Sequence, residues 1–148
     1  MSHIMLHSHL EAAEQRLTDS DLDLKVLDRI GTLASCTPNE LLHRGVLLAS
    51  DSSINTQQYR DTTLARVQDS LRLEFGYRII SRKQKARRNE AMVLEEQIRR
   101  LLTTGPLLLN SAILSYIGTP NRRLHPQSHE WWITTMTFSV ARDAILGG

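Results

Sequence analysis

Apolar residues recur at helical spacing through the first third of this 148-residue chain, and that recurrence limits the fold more than any other feature. Leu22, Val26, Leu27, Ile30, Leu33 and Ala34 fall on one side of a helical wheel, with Lys25, Asp28, Arg29 and Thr32 on the other. Ser20, followed by Asp21 and Asp23, suits the positive end of a helix dipole, so a helix is expected over 20–35. Thr37-Pro38-Asn39-Glu40 then offers an N-cap, a proline at the first helical position and a glutamate three residues after the cap. This predicts a helix over 38–50 burying Leu41, Leu42, Gly45, Leu48 and Ala49.

The same signals extend along the chain. Residues 1–7 read as a frayed terminus, and Ser8 with Glu11 forms a capping box opening a short helix over 8–17. The polar stretch 51–60 reads as a loop, and Leu64, Val67, Leu71 and Phe75 place a helix over 61–74. Residues 75–80 read as a short extended or irregular link. Ser81 with Gln84 is a second capping box, predicting a helix over 81–102 with Ala91, Leu94, Ile98, Leu101 and Leu102 on its apolar face. Residues 106–117 are apolar all round the wheel, which points to a central helix. A loop over 119–127 follows. In 128–146 the spacing of Trp132, Met136, Val140 and Ala144 suits a helix, while the β-branched run 133–140 suits a strand; helix is the preferred reading. The expectation is therefore an all-α, single-domain bundle of six or seven helices spanning 1–148.

Composition narrows the functional classes. The lone cysteine, Cys36, excludes an internal disulfide and suits a reducing, cytoplasmic or otherwise intracellular setting. No run approaches the ~18 apolar residues of a membrane helix, and no secretory leader is visible, so no membrane association is expected. The chain lacks a Walker loop, G-x-G-x-x-G and G-x-S-x-G, and His129-Glu130 lacks the second histidine of a zinc-protease helix, so no enzyme is expected. His3 and His7 at i, i+4, and His125 with His129, lack a completing ligand pattern, and neither metal nor cofactor is expected. The terminal Gly147-Gly148 reads as a helix stop.

The distribution of charge carries more information. The net charge of +2 hides an acidic first half, net −4 over 1–74, and a basic second half, net +6 over 75–148. Fifteen of the 18 basic residues are arginines, which suit bidentate contact with phosphate or carboxylate. The densest run, RIISRKQKARR over 78–88, holds Arg78, Arg82, Lys83, Lys85, Arg87 and Arg88 and no acid. These residues are expected to contact nucleic-acid phosphates, with Arg122 and Arg123 enlarging the surface, and Arg99 and Arg100 too if the fold brings them close. With aromatics at 5% and no base-reading motif, RNA or duplex shape is a better match than DNA sequence. The helix pair 20–35 and 38–50 resembles a helix-turn-helix only in outline, since it lies in the acidic half. The alternative is a helical adaptor or inhibitor binding an acidic protein surface. An exposed Leu47 and broad apolar faces suggest a homodimer.

Overall fold

The computed structural model describes residues 4–58, 64–80, 82–109 and 111–145. It is a mixed α/β fold. Helix α1 spans Leu6–Asp19 and helix α2 Gln84–Thr103; the strands are β1 (Lys25–Val26), β2 (Gly45–Gln58), β3 (Leu64–Arg78), β4 (Ser115–His125) and β5 (Ser128–Ile145). They form one five-stranded sheet in the order β1-β2-β3-β5-β4. The β2–β3, β3–β5 and β5–β4 pairs are antiparallel, and the two-residue β1 lies parallel to the start of β2. The all-α bundle expected from the sequence is thereby overturned.

Both helices pack on one face of this sheet. In β3, the alternate residues Leu71, Leu73, Phe75, Tyr77 and, beyond the strand, Ile79 point to that side and are buried. Met136, Phe138 and Val140 of β5 meet them, and α1 and α2 close the layer with Ala13, Leu17, Ala91, Leu94, Ile98 and Leu102. Full burial of each large side chain here is worth about 1.5–3 kcal/mol. The opposite face is covered at one end by residues 27–44, which contain two single-turn 3-10 helices, Leu33–Ser35 and Pro38–Glu40. Leu33, Cys36 and Leu41 from this cover pack on Leu47, Trp131 and Ile133 of the sheet.

Two layers on one sheet explain part of the misreading, at the start of β2 and in residues 20–35. Where both faces are covered, a strand is apolar at consecutive positions and loses the alternation that marks it. Val46 and Leu48 face the helices while Leu47 faces the irregular cover, so the start of β2 reads as part of a helix over 38–50. Leu22, Leu24 and Val26 contribute to one core and Leu27 and Leu33 to the other, so the residues expected on one face of helix 20–35 are divided between two layers. Positive φ at Asp23 (54°) and Gly31 (117°) interrupts any helix there, and Ile30 is fully exposed. The expected helix 61–74 is β3, and the expected helix 128–146 is β5, the other strand reading of its β-branched run. Residues 106–117 do not form the central helix: Leu109, Ile113 and Ile117 are exposed, and the centre is the β3–β5 pair.

Local signals fared better where they were self-contained. The helices α1 and α2 lie within a few residues of the expected 8–17 and 81–102, although α1 has Met5 at its N-cap and encloses Ser8. Ser81 itself, His3, Asp61, Asn110 and Gly147-Gly148 lie outside the described residues. The Thr37–Glu40 box forms as read: Glu40 Oε1 accepts from the Thr37 backbone N–H at 2.9 Å and its hydroxyl at 2.8 Å. With Arg29 also paired to it, these bonds hold the Glu40 carboxyl down to about 2. The box nevertheless caps one turn only.

A buried polar cluster lies where α1 crosses the sheet. Asp69, fully buried, accepts from Arg142 Nε at 2.5 Å and from Ser53 Oγ at 2.5 Å. His9 of α1 is fully buried near this pair, and neither ring nitrogen has a hydrogen-bond partner among the described residues. Burial lowers the His9 pKa below the ordinary 6.5; Asp69 opposes the shift and Arg142 adds to it. Because the unfolded chain binds the proton more readily, the His9 contribution is present above pH 6.5 and is lost as the pH falls through the folded-state value. Urea melts from pH 8 to pH 5 are expected to show this acid-side loss, and His9→Leu is expected to flatten it. An unchanged slope in the variant would assign the acid sensitivity elsewhere.

Candidate anion-binding surface

One end of the sheet gathers the chain's cations from three separate elements. β3 ends on Arg78, the link to α2 carries Arg82 and Lys83, and the first turns of α2 carry Lys85, Arg87 and Arg88. Lys83 occupies the N-cap of α2, and its first turn has no acidic residue. Cations at the positive end of a helix dipole repel it, so this end carries a positive field that the helix does not compensate. The sequence places Arg82, Lys83, Lys85, Arg87 and Arg88 on a helix over 81–102 and Arg78 in an extended or irregular link; in the structure Arg78 ends a strand, and Arg82 and Lys83 precede the helix.

The turn before β2 adds residues from the acidic half of the sequence. Arg44 adopts a left-handed conformation (φ 62°), a strain of about 1–3 kcal/mol for a non-glycine residue. Gly45 follows it, at a position where a Cβ would stand 2.9 Å from the Leu42 carbonyl oxygen. This tight turn is fixed by the Arg44 N–H donating to Gly76 O at 2.8 Å and the Gly45 N–H to Leu42 O at 2.9 Å. It directs both His43 and Arg44 to Tyr77 at the end of β3. The His43 ring meets the Tyr77 ring edge-on with centroids 4.4 Å apart, and the Arg44 guanidinium lies 5.7 Å from the Tyr77 centroid. Lys25 joins the same neighbourhood because its N–H donates to Arg44 O at 3.0 Å.

A concave site of about 520 Å³ opens beside these groups, lined by His43, Arg44, Tyr77, Arg87, Glu90, Val93 and Gln97. Glu90 Oε2 accepts from Tyr77 Oη and from Arg87 Nη1, each at 3.0 Å. The Arg87 bond, then that from Tyr77, lowers the Glu90 pKa, while burial and Glu90 raise that of Tyr77. His43 Nδ1 accepts the Arg78 backbone N–H at 3.0 Å, which leaves Nε2 to carry the proton of the neutral ring. Burial, then Arg44, Arg87 and Lys25, lower the His43 pKa, with Asp23 opposing. The site therefore brings an imidazole and the guanidinium groups of Arg44 and Arg87 to one concave lining.

The other expected contacts are placed elsewhere. Arg122 donates to both Glu95 oxygens, at 2.8 and 2.7 Å, and lies on the helix-covered face. Arg123 pairs in register with Ile133 and so takes the opposite face. Arg99 is paired with Glu96 and lies 5.2 Å from the Tyr116 centroid. Arg78 has a 3.8 Å ion pair with Glu130. Leu47, the residue offered for a homodimer, is buried against Leu33 and Trp131, which removes that argument. No group of three or more metal-ligating side chains occurs among the described residues. His125 Nε2 donates to Cys36 O at 2.8 Å, and His7 pairs with Glu11. No helix among the described residues is long and apolar enough to cross a membrane.

Sequence reasoning left Lys25, His43 and Arg44 out of the expected site, the last two because they lie in the acidic half of the chain. Each stands in a stretch read as helix, and nothing local signals that the turn at Arg44 folds against Tyr77, 33 residues later. No known protein family matches this sequence, and no characterised protein shows detectable similarity to it.

Proposed function

We propose that this chain is a non-enzymatic nucleic-acid-binding protein that engages phosphate backbones with the cationic end of its sheet. The observation that carries this reading is the convergence of Lys25, Arg44 and Arg87 around His43, whose Nδ1 accepts the Arg78 backbone N–H, beside the segment that carries Arg82, Lys83, Lys85 and Arg88. Of the acids nearby, Glu90 is already engaged by Arg87 and Tyr77, and Glu130 by Arg78. Arg82, Lys85, Arg87 and Arg88 stand on the link and first turns of α2, where a phosphate track would relieve their mutual repulsion and that of the helix dipole. Arg122 is left out of this reading because it stands on β4, the edge strand away from β2, with its guanidinium on the buried Glu95 carboxylate.

Fluorescence anisotropy across a salt series tests the reading. With about four phosphates engaged, log affinity for duplex DNA is expected to fall against log salt with a slope of roughly −3.6. Replacing Arg82, Lys83, Lys85, Arg87 and Arg88 together by glutamine should flatten that slope and weaken binding at least tenfold, about 1.4 kcal/mol. Running duplex RNA, duplex DNA and single strands in parallel ranks the ligands. Absence of binding to all three near physiological salt would overturn the proposal and direct the search to an acidic protein partner.

A further inference from the structure

We infer that the concave site between His43, Arg44 and Arg87 seats a terminal phosphate monoester, so that the protein favours the phosphorylated end of a strand over its interior. This rests on the backbone-binding reading above and adds a ligand class to one part of that surface. A diester inside a strand offers one negative charge and two free oxygens. A terminal phosphate offers about −1.5 to −2 charge and three acceptor oxygens. It is best held where several donors converge on one point, and an interior diester is served by a row of separated cations.

The site has the first character and the α2 rim the second. Arg44 arrives from the turn before β2, His43 from the same turn but fixed to the end of β3, and Arg87 from α2. Gln97, nearly three turns further along α2, lines the site with an amide. The Arg78 N–H occupies His43 Nδ1, which turns the imidazole into an oriented Nε2–H donor, and Tyr77 holds that ring from its edge. Glu90 is the one carboxylate of the lining, and its Oε2 is occupied by Tyr77 and Arg87. Arg44 is fixed at the wall of this concavity. Its guanidinium donates from Nη1 to Leu22 O at 2.5 Å and lies 5.7 Å from the Tyr77 centroid, so the positive charge is held in place beside the site.

The substitution Arg44→Gly removes the guanidinium while relaxing the backbone; its bond to Leu22 O goes with it, so folding is checked alongside binding. Short single-stranded oligonucleotides of one sequence, bearing either a 5′-phosphate or a 5′-hydroxyl, are compared by anisotropy. The phosphorylated strand is expected to bind the wild-type chain about tenfold or more tightly, as for added charge-assisted hydrogen bonds. Arg44→Gly and His43→Gln, each verified as folded by urea melting, are expected to erase that preference. Equal binding of the two strands by the wild type would overturn the terminal-phosphate inference and leave backbone binding standing. If neither strand binds, the preference for a strand end fails, the duplex titrations above decide the backbone reading, and a titration with inorganic phosphate followed by NMR at the His43 imidazole decides the pocket separately. A saturable shift that Arg44→Gly abolishes supports a phosphate seat; no shift overturns it. A mononucleotide that competes as well as the phosphorylated strand would support the phosphate chemistry while assigning it to a free phosphate ester.

Discussion

Replacing Arg142 by alanine is expected to cost about 3–5 kcal/mol of folding stability, the usual effect of leaving one member of a buried ion pair without its partner. Asp69 is fully buried at the middle of β3 and takes hydrogen bonds from Arg142 Nε at 2.5 Å, Arg142 Nη2 at 3.4 Å and Ser53 Oγ at 2.5 Å. Removing the guanidinium leaves a carboxylate that water cannot reach. It also removes the 3.1 Å bond from Arg142 Nη1 to Ile4 O, which secures the chain just before α1. A urea melt measures the loss. The double variant Asp69→Leu/Arg142→Met is expected to recover most of it, because exchanging a whole buried pair for apolar groups of similar volume is often neutral. His9 refines the expectation. Arg142 lowers the His9 pKa and Asp69 raises it, so in Arg142→Ala the imidazole faces the carboxylate alone. The variant should therefore lose less stability at acidic than at alkaline pH, where protonated His9 replaces part of the missing charge. A loss under 1 kcal/mol at neutral pH would show that the pair is not buried as described.

The second large effect is expected at Trp131. Its side chain is 6% exposed and packs against Leu33, Cys36, Leu41, Leu47 and Ile133, so it occupies the junction between the sheet and the irregular cover over 27–44. Truncation to alanine leaves a cavity that the cover fills only in part, at a cost of about 3–5 kcal/mol. Urea melting reads the loss, and exposure of Cys36 to a thiol reagent reports whether the cover has lifted. The same cover leads directly into the turn at His43 and Arg44, so Trp131→Ala should weaken phosphate binding although it touches no ligand. If Trp131→Ala melts like the wild type, the cover is not part of the folded core.

How much of this was legible depended on whether a signal was local. The capping box at Thr37 and Glu40, the span of α2 and the buried face Ala91, Leu94, Ile98 and Leu102 were all readable, because each involves residues within one or two turns. In β3 an alternating signal was present: Leu71, Leu73, Phe75, Tyr77 and Ile79 are every second residue, and all five are buried. A helical reading of Leu64, Val67, Leu71 and Phe75 obscured it, since two of those residues belong to both patterns. The run Arg78 to Arg88 was legible as a cationic segment from composition alone. Its partners at Lys25 and Arg44 were not, because the acidic half in which they lie gives no reason to set them beside it.

By itself, then, the sequence determined the two helices, the single-turn cap at Pro38–Glu40 and the position of the densest positive charge. These follow from i, i+3 and i, i+4 relations and from charge counted along the chain. Only the tertiary structure decided that the apolar runs at the start of β2 and of β5 are strands, because a sheet covered on both faces makes consecutive apolar residues compatible with extended backbone. Only the tertiary structure, too, made the candidate site. The β2–β3 pairing sets Gly45 opposite Gly76 and brings the strained turn at Arg44 to the end of β3. There Tyr77 gathers His43, Arg44 and the start of α2 around one concavity, through long-range strand register that no local pattern encodes.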